Sequence, residues 1–359
     1  MNCCVNCFSD PGLKSRIEGL ISKTGNCNFC LAKNIDIVRC EDLSLYFEPL
    51  FNLYANHPNA EKSLKINEPV LMGEHLDRYW PNLFNKPAIS IEMILHLIDQ
   101  IGKGYENYST SLFEEPVELE YLISSDIDLS SDLGLKWDSF SKEIKFENRF
   151  FLNEEFDIKP LKPLLRSLGG NYPVDSYFYR ARISDELLSI DKLGKPDFRF
   201  ATAGRANPIG IAYLYVSESV ETTVYETRTS LHETISVGRF RVNQPLLVMS
   251  LKNIAEYGPF EISDKGLEVD DFIKYRPYLL KLGDELSKPV RKQDSHFDYL
   301  PTQFLCEFIK SLGFDAVEYK SAMNPVGYNL AVFNDSKLEC VDARFFTVND
   351  LKYDITELT

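Results

Sequence analysis

The chain has 359 residues, of which 44% are hydrophobic and 26% are charged, a composition typical of globular proteins. This length allows two or three domains with a sizeable core. The formal net charge of −15 repels phosphate backbones over most of the surface and counts against nucleic-acid binding. No run of about 18 apolar residues occurs, and the N-terminus lacks the features of a secretory signal. We therefore expect a cytoplasmic protein without a membrane contact.

Cysteines are concentrated at the start of the chain, where residues 1–40 form a predicted zinc module. The two Cys-x2-Cys pairs are Cys4 with Cys7 and Cys27 with Cys30. Such pairs place four thiolates around one tetrahedral metal, and in a cytosolic protein they favour metal over disulfides. A closed Cys4 site has no open coordination position, so the zinc is predicted to be structural. Cys3 or Cys40 could replace one of these ligands.

Residues 41–158 are predicted to be mainly helical. The segment "DLSLYFEPLFNLYANH" has apolar residues at roughly helical spacing, as does "SIEMILHLIDQIG", which Ser90 can cap and Gly102 can end. The acidic stretch "SSDIDLSSD" is predicted to be an irregular connection. Arg291 and His296 have an Arg-x4-His spacing used by some ribonucleases, but they lie in a polar stretch outside the helical region, so we predict no nuclease.

Residues 159–359 are predicted to form an α+β domain with a mixed sheet. They open with "FDIKPLKPLLRSLGG", which indicates a linker or a boundary helix ending at two glycines. Short β-rich runs follow, among them "SYFYRARI", "IAYLYVS", "SVGRFRV" and "YNLAVFN", separated by helical segments such as "YLPTQFLCEFIKSLG". The order is not a regular βαβ alternation.

A strand-to-helix turn at residues 204–228, "GRANPIGIAYLYVSESVETTVYETR", is either scaffold or one wall of a pocket. Tyr213 and Tyr215 are two apart and share one sheet face, and Ser217 or Ser219 can cap the helix that carries Glu226. Each piece alone has an ordinary structural explanation.

Three segments together resemble the RES-domain family, named for its arginine, glutamate and serine. "FYRARI" looks like the arginine strand, with Arg180 at the motif position and Arg182 as a competitor. The segment from residue 204 looks like the Gly-Arg-x-Asn loop, tyrosine strand and glutamate helix of the family, which places Tyr215 and Glu226 at motif positions. Its "TTVYE" departs from the family, where many members have Thr-Ala before the turn that carries the glutamate. "GFDAVEYKSAMNPVGYNLAVF" supplies the motif serine. The N-terminal region resembles the CxxC and HEPN-like region found on some RES proteins.

The resemblance implies an ADP-ribosyltransferase-like fold and an NAD-consuming toxin of a toxin–antitoxin system. Glu226 would stabilise the oxocarbenium-like ribose as nicotinamide leaves. The implied NAD contacts are Arg180, Arg205, Asn207, Tyr215, Ser321 and Asn329. Ser321 would position NAD rather than attack it, since no histidine base is evident beside it.

Several questions of function stay open. The acceptor would be water, phosphate or a protein side chain; the last would make the chain a protein ADP-ribosyltransferase. A third reading is a zinc-bearing interaction or nucleic-acid module with an inert RES domain. An antitoxin or regulatory protein and a homodimer are conceivable partners.

Overall fold

A computed structural model describes residues 1–20, 23–56, 70–119, 129–152, 161–289 and 295–350. The helices of these residues are α1 (Pro11–Leu20), α2 (Ser44–Phe51), α3 (Met72–Tyr79), α4 (Ile91–Gly102), α5 (Thr110–Glu114), α6 (Leu129–Phe146), α7 (Leu161–Leu168), α8 (Val220–Thr227), α9 (Pro259–Asp264), α10 (Val269–Ser287), α11 (Ser295–Asp298) and α12 (Leu300–Ser311). The strands are β1 (Asn2–Cys3), β2 (Lys23–Gly25), β3 (Ile35–Arg39), β4 (Tyr54–Asn56), β5 (Val117–Leu119), β6 (Gly169–Tyr172), β7 (Tyr177–Ile183), β8 (Leu214–Ser217), β9 (Thr234–Val242), β10 (Leu246–Ser250), β11 (Ala316–Lys320), β12 (Tyr328–Val332) and β13 (Leu338–Thr347).

The chain divides into two compact units. Unit 1 consists of Met1–Asp132 with Ala255–Pro277, and unit 2 consists of Leu133–Ile254 with Tyr278–Thr359. The domain boundaries that we place at residues 40 and 158 stay predictions. Within the described part of the chain, no helix is both long and apolar enough to cross a membrane.

Unit 1 contains small sheets, β1-β3-β2 and β4-β5, and a helical core rich in aromatic rings. In α4 the prediction from the sequence is confirmed, because the Ser90 hydroxyl accepts the Met93 N–H at 3.4 Å and the helix ends at Gly102. The first predicted helix is shorter than expected: α2 ends at Phe51, and the chain enters β4 at Tyr54. The predicted connection at 124–132 lies partly outside the described residues, and from Leu129 onward it is helical.

The segment 255–277 is held in unit 1 by a buried carboxylate and by ring packing. Asp10 accepts the N–H groups of Leu13 at 3.0 Å and Phe260 at 3.1 Å, and so caps α1 and α9 together. Phe272 stacks on Trp80 with 6.0 Å between ring centroids. This segment interrupts unit 2 in sequence but packs in the core of unit 1.

A half-buried histidine is expected to make unit 1 sensitive to acid. The Tyr54 hydroxyl lies 2.9 Å from His75 Nδ1, and burial together with the charge of Arg78 lowers the pKa of His75 to about 4. The unfolded chain takes up this proton near pH 6.5, whereas the folded chain does not until about pH 4. Unit 1 should therefore lose up to about 1.4 kcal/mol of unfolding free energy per pH unit as the pH falls through this window.

This loss can be measured by urea unfolding of a Trp137→Phe variant, in which Trp80 is the remaining tryptophan and reports unit 1. Adding His75→Gln should flatten the pH dependence between pH 6.5 and 4. If the two proteins lose stability in parallel on acidification, other groups cause the effect.

Unit 2 contains an eight-stranded mixed sheet in the order β13-β9-β7-β8-β12-β11-β10-β6. β10 and β11 are parallel, and the other neighbours are antiparallel, which confirms the α+β prediction. The boundary helix expected before the two glycines is α7, which ends at Leu168, and Gly169 and Gly170 begin β6. Gly169 is required there because a Cβ would lie 2.6 Å from the Phe314 ring.

The two faces of this sheet are chemically different. One face is the main apolar core of unit 2, which includes Phe178, Val216, Leu330 and Phe240. On the other face α8 packs over β7 and β9, with Val220 and Val224 against Ala181 and Val237. We call the latter the α8 face. β7 and β8 share a single residue pair, Tyr179 with Ser217, so the sheet is weakly joined between them.

Candidate active site

Glu226 lies in the last turn of α8, where two side chains hold one of its carboxylate oxygens. The helix is capped by Ser219, whose hydroxyl accepts the Thr222 N–H at 3.1 Å. Ser321 Oγ donates to Glu226 Oε1 at 2.5 Å, and Asn329 Nδ2 donates to the same oxygen at 2.7 Å. Glu226 Oε2 has no hydrogen-bond partner among the described residues. One carboxylate oxygen is thus fixed and the other is left for a ligand.

The loop that carries Ser321 fixes the direction of its hydroxyl group. Ser321 Oγ accepts the N–H groups of Met323 at 3.1 Å and Asn324 at 3.0 Å, so its own proton points to Glu226. In the described part of the chain its hydroxyl has no histidine partner. This geometry agrees with a positioning role and gives no sign of a nucleophile.

Ser217 orients the Asn329 amide, a contact that the sequence did not reveal. Asn329 pairs with Ser217 across β12 and β8, and Ser217 Oγ donates to Asn329 Oδ1 at 2.7 Å. The amide NH2 is therefore turned toward Glu226. Of the two serines expected to cap α8, Ser219 does so and Ser217 has this other role.

Tyr215 and Asn207 are brought together, and they shape the Gly-Arg-x-Asn loop. The Tyr215 hydroxyl donates to Asn207 Oδ1 at 2.7 Å and accepts the Ala206 N–H at 3.1 Å. Asn207 Nδ2 lies within 3.1 Å of three backbone carbonyl oxygens of the same loop. A Cβ at Gly204 would lie 2.7 Å from the Tyr215 hydroxyl, which explains the glycine. Both polar groups are occupied, so their contacts to NAD stay predictions.

Arg205 lies on the α8 face, near Glu226. Its Nη1 donates to the Leu286 carbonyl oxygen, and its Cζ is 5.9 Å from the centroid of the Tyr319 ring. Burial raises the pKa of Tyr319, and the charges of Arg205 and Glu226 act on it in opposite directions. Tyr319 pairs with Asn329 across β11 and β12, and Asn329 is the residue that donates to Glu226. Tyr319 was not identified from the sequence as part of the site. The signal that could have found it is its position two residues before Ser321.

No hydrogen bond or ion pair joins Arg180 to Glu226 or Ser321 among the described residues. Residues alternate along β7, so Arg180 leaves the strand on the side of Phe178, whereas Tyr179 shares its face with Ser217. Arg180 Nη1 lies 3.4 Å from the Tyr215 carbonyl oxygen, where β7 and β8 stop pairing. Burial, with the charge of Arg182, lowers the pKa of Arg180 to about 10. No carboxylate among the described residues pairs with it.

Arg182, the alternative to Arg180 for the motif position, makes a structural contact. Arg182 Nη2 donates to the Gly194 carbonyl oxygen at 2.8 Å, which ties β7 to the loop that follows it. Arg180 makes no comparable short bond, so of the two it has the freer guanidinium group.

The predicted metal ligands form one cluster in unit 1. The sulfur atoms of Cys4, Cys7, Cys27 and Cys30 all lie within 4.8 Å of one another. Two sulfur–sulfur distances are 3.4 Å, close to the roughly 3.8 Å that a tetrahedral ion with 2.3 Å metal–sulfur bonds requires. Cys3 and Cys40 are buried and stand outside this set, and the neighbouring Cys40 thiol together with burial raises the pKa of Cys3. The four thiols fit a Cys4 metal site.

Comparison with known proteins gives a family and structural neighbours. No curated protein sequence matches the chain. A chain of the M. tuberculosis MbcT–MbcA toxin–antitoxin complex is similar over 53% of this chain and 93% of that chain, with 16% identity and a TM-score of 0.32. The family model of the RES domain matches residues 179–355, which include Arg180, Tyr215, Glu226 and Ser321. This C-terminal part of the chain is therefore a RES domain and belongs to that family.

Proposed function

We propose that the protein is an NAD+ glycohydrolase that cleaves the nicotinamide–ribose bond and acts as a toxin or defence effector. The family resemblance supplies the reaction class. The observation that carries the proposal is the Glu226 carboxylate, held through Oε1 by Ser321 and Asn329 while Oε2 is without a partner. An acid held in this way is suited to a charge that develops beside it.

The chemistry needs a negative charge near the sugar. As neutral nicotinamide leaves, positive charge builds on the ribose, and the Glu226 carboxylate stabilises it without having to reorganise. Oε2 would accept a ribose hydroxyl or face the cationic carbon. Ser321 and Asn329 keep the carboxylate in one orientation. Water or phosphate would then attack the ribose, and the phosphate-dependent form would yield a sugar phosphate instead of free ADP-ribose.

The two phosphates of NAD+ require cations in a chain of net charge −15. Arg205 lies over the ring of Tyr319, whose strand partner Asn329 donates to Glu226, so Arg205 is the arginine that we assign to a phosphate. Arg180 would contribute from the line where β7 and β8 separate, since it has no acid partner in the described residues. Tyr215 holds the loop on which Arg205 lies.

The central experiment incubates the purified full-length protein with NAD+ and separates the products. Free nicotinamide with ADP-ribose, or with ADP-ribose phosphate in phosphate buffer, is the expected result. Labelled protein without free ADP-ribose would indicate a protein ADP-ribosyltransferase instead. Intact NAD+ after long incubation, with the protein folded, would refute the proposal.

Arg205 should matter more for NAD+ affinity than Arg180. We expect Arg205→Gln to raise the KM for NAD+ at least about tenfold with little change in kcat, because a charge-assisted contact to a phosphate is lost. Arg180→Gln should raise KM less, because no hydrogen bond or ion pair joins Arg180 to the Glu226 cluster in the described residues. Arg228→Gln, exposed at the end of α8, is the control. A larger KM effect for Arg180 would reverse this assignment.

Four further proposals concern the metal, the location of the protein, its partner and its helical region. The Cys4 cluster would hold a structural zinc ion, which supplies folding energy and no catalysis. The protein would act in the cytoplasm, where NAD+ is available, and an antitoxin or regulatory protein would restrain it. The helical region would be HEPN-like without nuclease activity; the Arg-x4-His pair, Arg291 with His296, lies largely outside the described residues.

A further inference from the structure

A cavity on the α8 face of the sheet lies beside the start of α8, whereas Glu226 lies in the last turn of that helix. Its volume is about 150 Å³, and it is lined by residues of β7, β9 and β13 and by Val220 at the start of α8. Glu226, Ser321 and Asn329 do not line it. It is therefore distinct from the proposed NAD+ site.

Arg239 supplies an unneutralised charge in this cavity. Its guanidinium carbon lies 3.8 Å from the centroid of the Tyr177 ring, so the group packs against that ring. No hydrogen bond or ion pair joins it to the rest of the described chain, and its buried Nε has no partner. Arg241, two residues along the same strand, instead pairs with Glu339 at 3.0 Å. A guanidinium that is oriented but unpaired is suited to an anion.

A β-bulge brings a second arginine to the same place. The pairing of β13 with β9 steps from Cys340–Phe240 to Asp342–Arg239, so Val341 is the extra residue. Beyond the bulge Asp342, Arg344 and Phe346 all line the cavity. Arg344 Nε donates to Asp342 Oδ2 at 2.9 Å. With Arg239 and Arg344 against one carboxylate, the lining carries a net charge of +1 in a strongly acidic chain.

The rest of the lining is apolar or aromatic. Tyr179 and Phe346 present rings, and Val220 and Val237 are aliphatic. A ligand that fits both the charged and the apolar parts of this lining has a small apolar or aromatic body and one anionic head group. The cavity has space for a single ring with a phosphate or carboxylate, and not for a dinucleotide.

We propose that this cavity binds a small aromatic monoester phosphate or carboxylate, with the head between Arg239 and Arg344 and the ring between Tyr179 and Phe346. The ligand would also contact Val220, the first residue of the helix that carries Glu226. The proposal does not depend on the NAD+ reaction.

The test is calorimetric titration of the full-length protein with phenyl phosphate and with benzoate. Phenyl phosphate should bind with one site per chain, at least about tenfold more weakly to Arg239→Gln, and within twofold of the parent to the matched control Arg241→Gln. Arg344→Gln, an exposed change that does not threaten folding, should also weaken binding. Glu226→Gln should bind unchanged. Benzoate binding with the same dependence on Arg239 would extend the site to carboxylates; if only phenyl phosphate binds, the head is phosphate.

Three results would overturn the proposal. These are no saturable binding of either anion, equal affinity for the parent and both the Arg239 and Arg344 variants, and equal affinity for benzyl alcohol, which lacks the charge. Inorganic phosphate that binds as tightly as phenyl phosphate would remove the role of the rings.

Discussion

Glu226→Gln is expected to lower NAD+ turnover by at least about a hundredfold while the protein still folds. The amide keeps an oxygen that can accept the hydrogen bonds of Ser321 and Asn329, so the local structure should survive. It has no charge to stabilise the cationic ribose, so kcat should fall far more than NAD+ affinity changes. Release of nicotinamide under saturating NAD+ measures the effect.

A matched control is available on the same helix. Glu221 is exposed in the first turn of α8, and Glu221→Gln changes the net charge by the same amount. This variant should turn over NAD+ within about twofold of the parent. Full activity of Glu226→Gln would remove Glu226 from the mechanism, and the proposed function would then need another acid.

Replacing Cys7 and Cys30 together by Ser should release the metal and unfold the N-terminal part of unit 1. Structural zinc contributes roughly 10–16 kcal/mol of apparent binding free energy in small modules, as much as the whole stability of an ordinary domain. The double variant should contain less than a tenth of the zinc of the parent by elemental analysis, with rapid proteolysis near the N-terminus and reduced solubility.

The control is Cys340→Ser, in β13 and outside the cluster, which should keep one zinc per chain. Cys40→Ser should keep it as well, because Cys40 lies outside the cluster of four thiols. Absence of zinc from the parent protein, purified without chelators, would contradict the assignment.

Local signals in the sequence were enough for several elements. The spacing of two Cys-x2-Cys pairs identified four thiols that do converge, and the Ser90 cap with the Gly102 stop placed α4 correctly. The α+β class followed from the alternation of short β-rich runs and helices. Glu226 and Ser321 were found because they lie in recognisable motifs, and they are in contact.

Features that depend on strand pairing could not be obtained in this way. Periodicity shows that Arg180 and Arg182 share one face of β7, but it does not show which face of the sheet this is. That depends on the pairing of Tyr179 with Ser217, which only the folded structure contains. The bulge at Val341 shifts the register of β13, and no residue type in the sequence indicates a bulge there. Tyr319 and Ser217 become part of the site through neighbours that are distant in sequence.

The membership of residues 255–277 in unit 1 limits how the RES domain can be isolated. Phe260, Ile262, Phe272 and Ile273 are each at most 4% exposed, and much of their cover comes from the N-terminal residues. A fragment that begins near residue 160 would leave these side chains bare and would tend to aggregate. Inactivity of such a fragment would say nothing about catalysis. A shortened enzyme would need a short polar linker in place of residues 255–277.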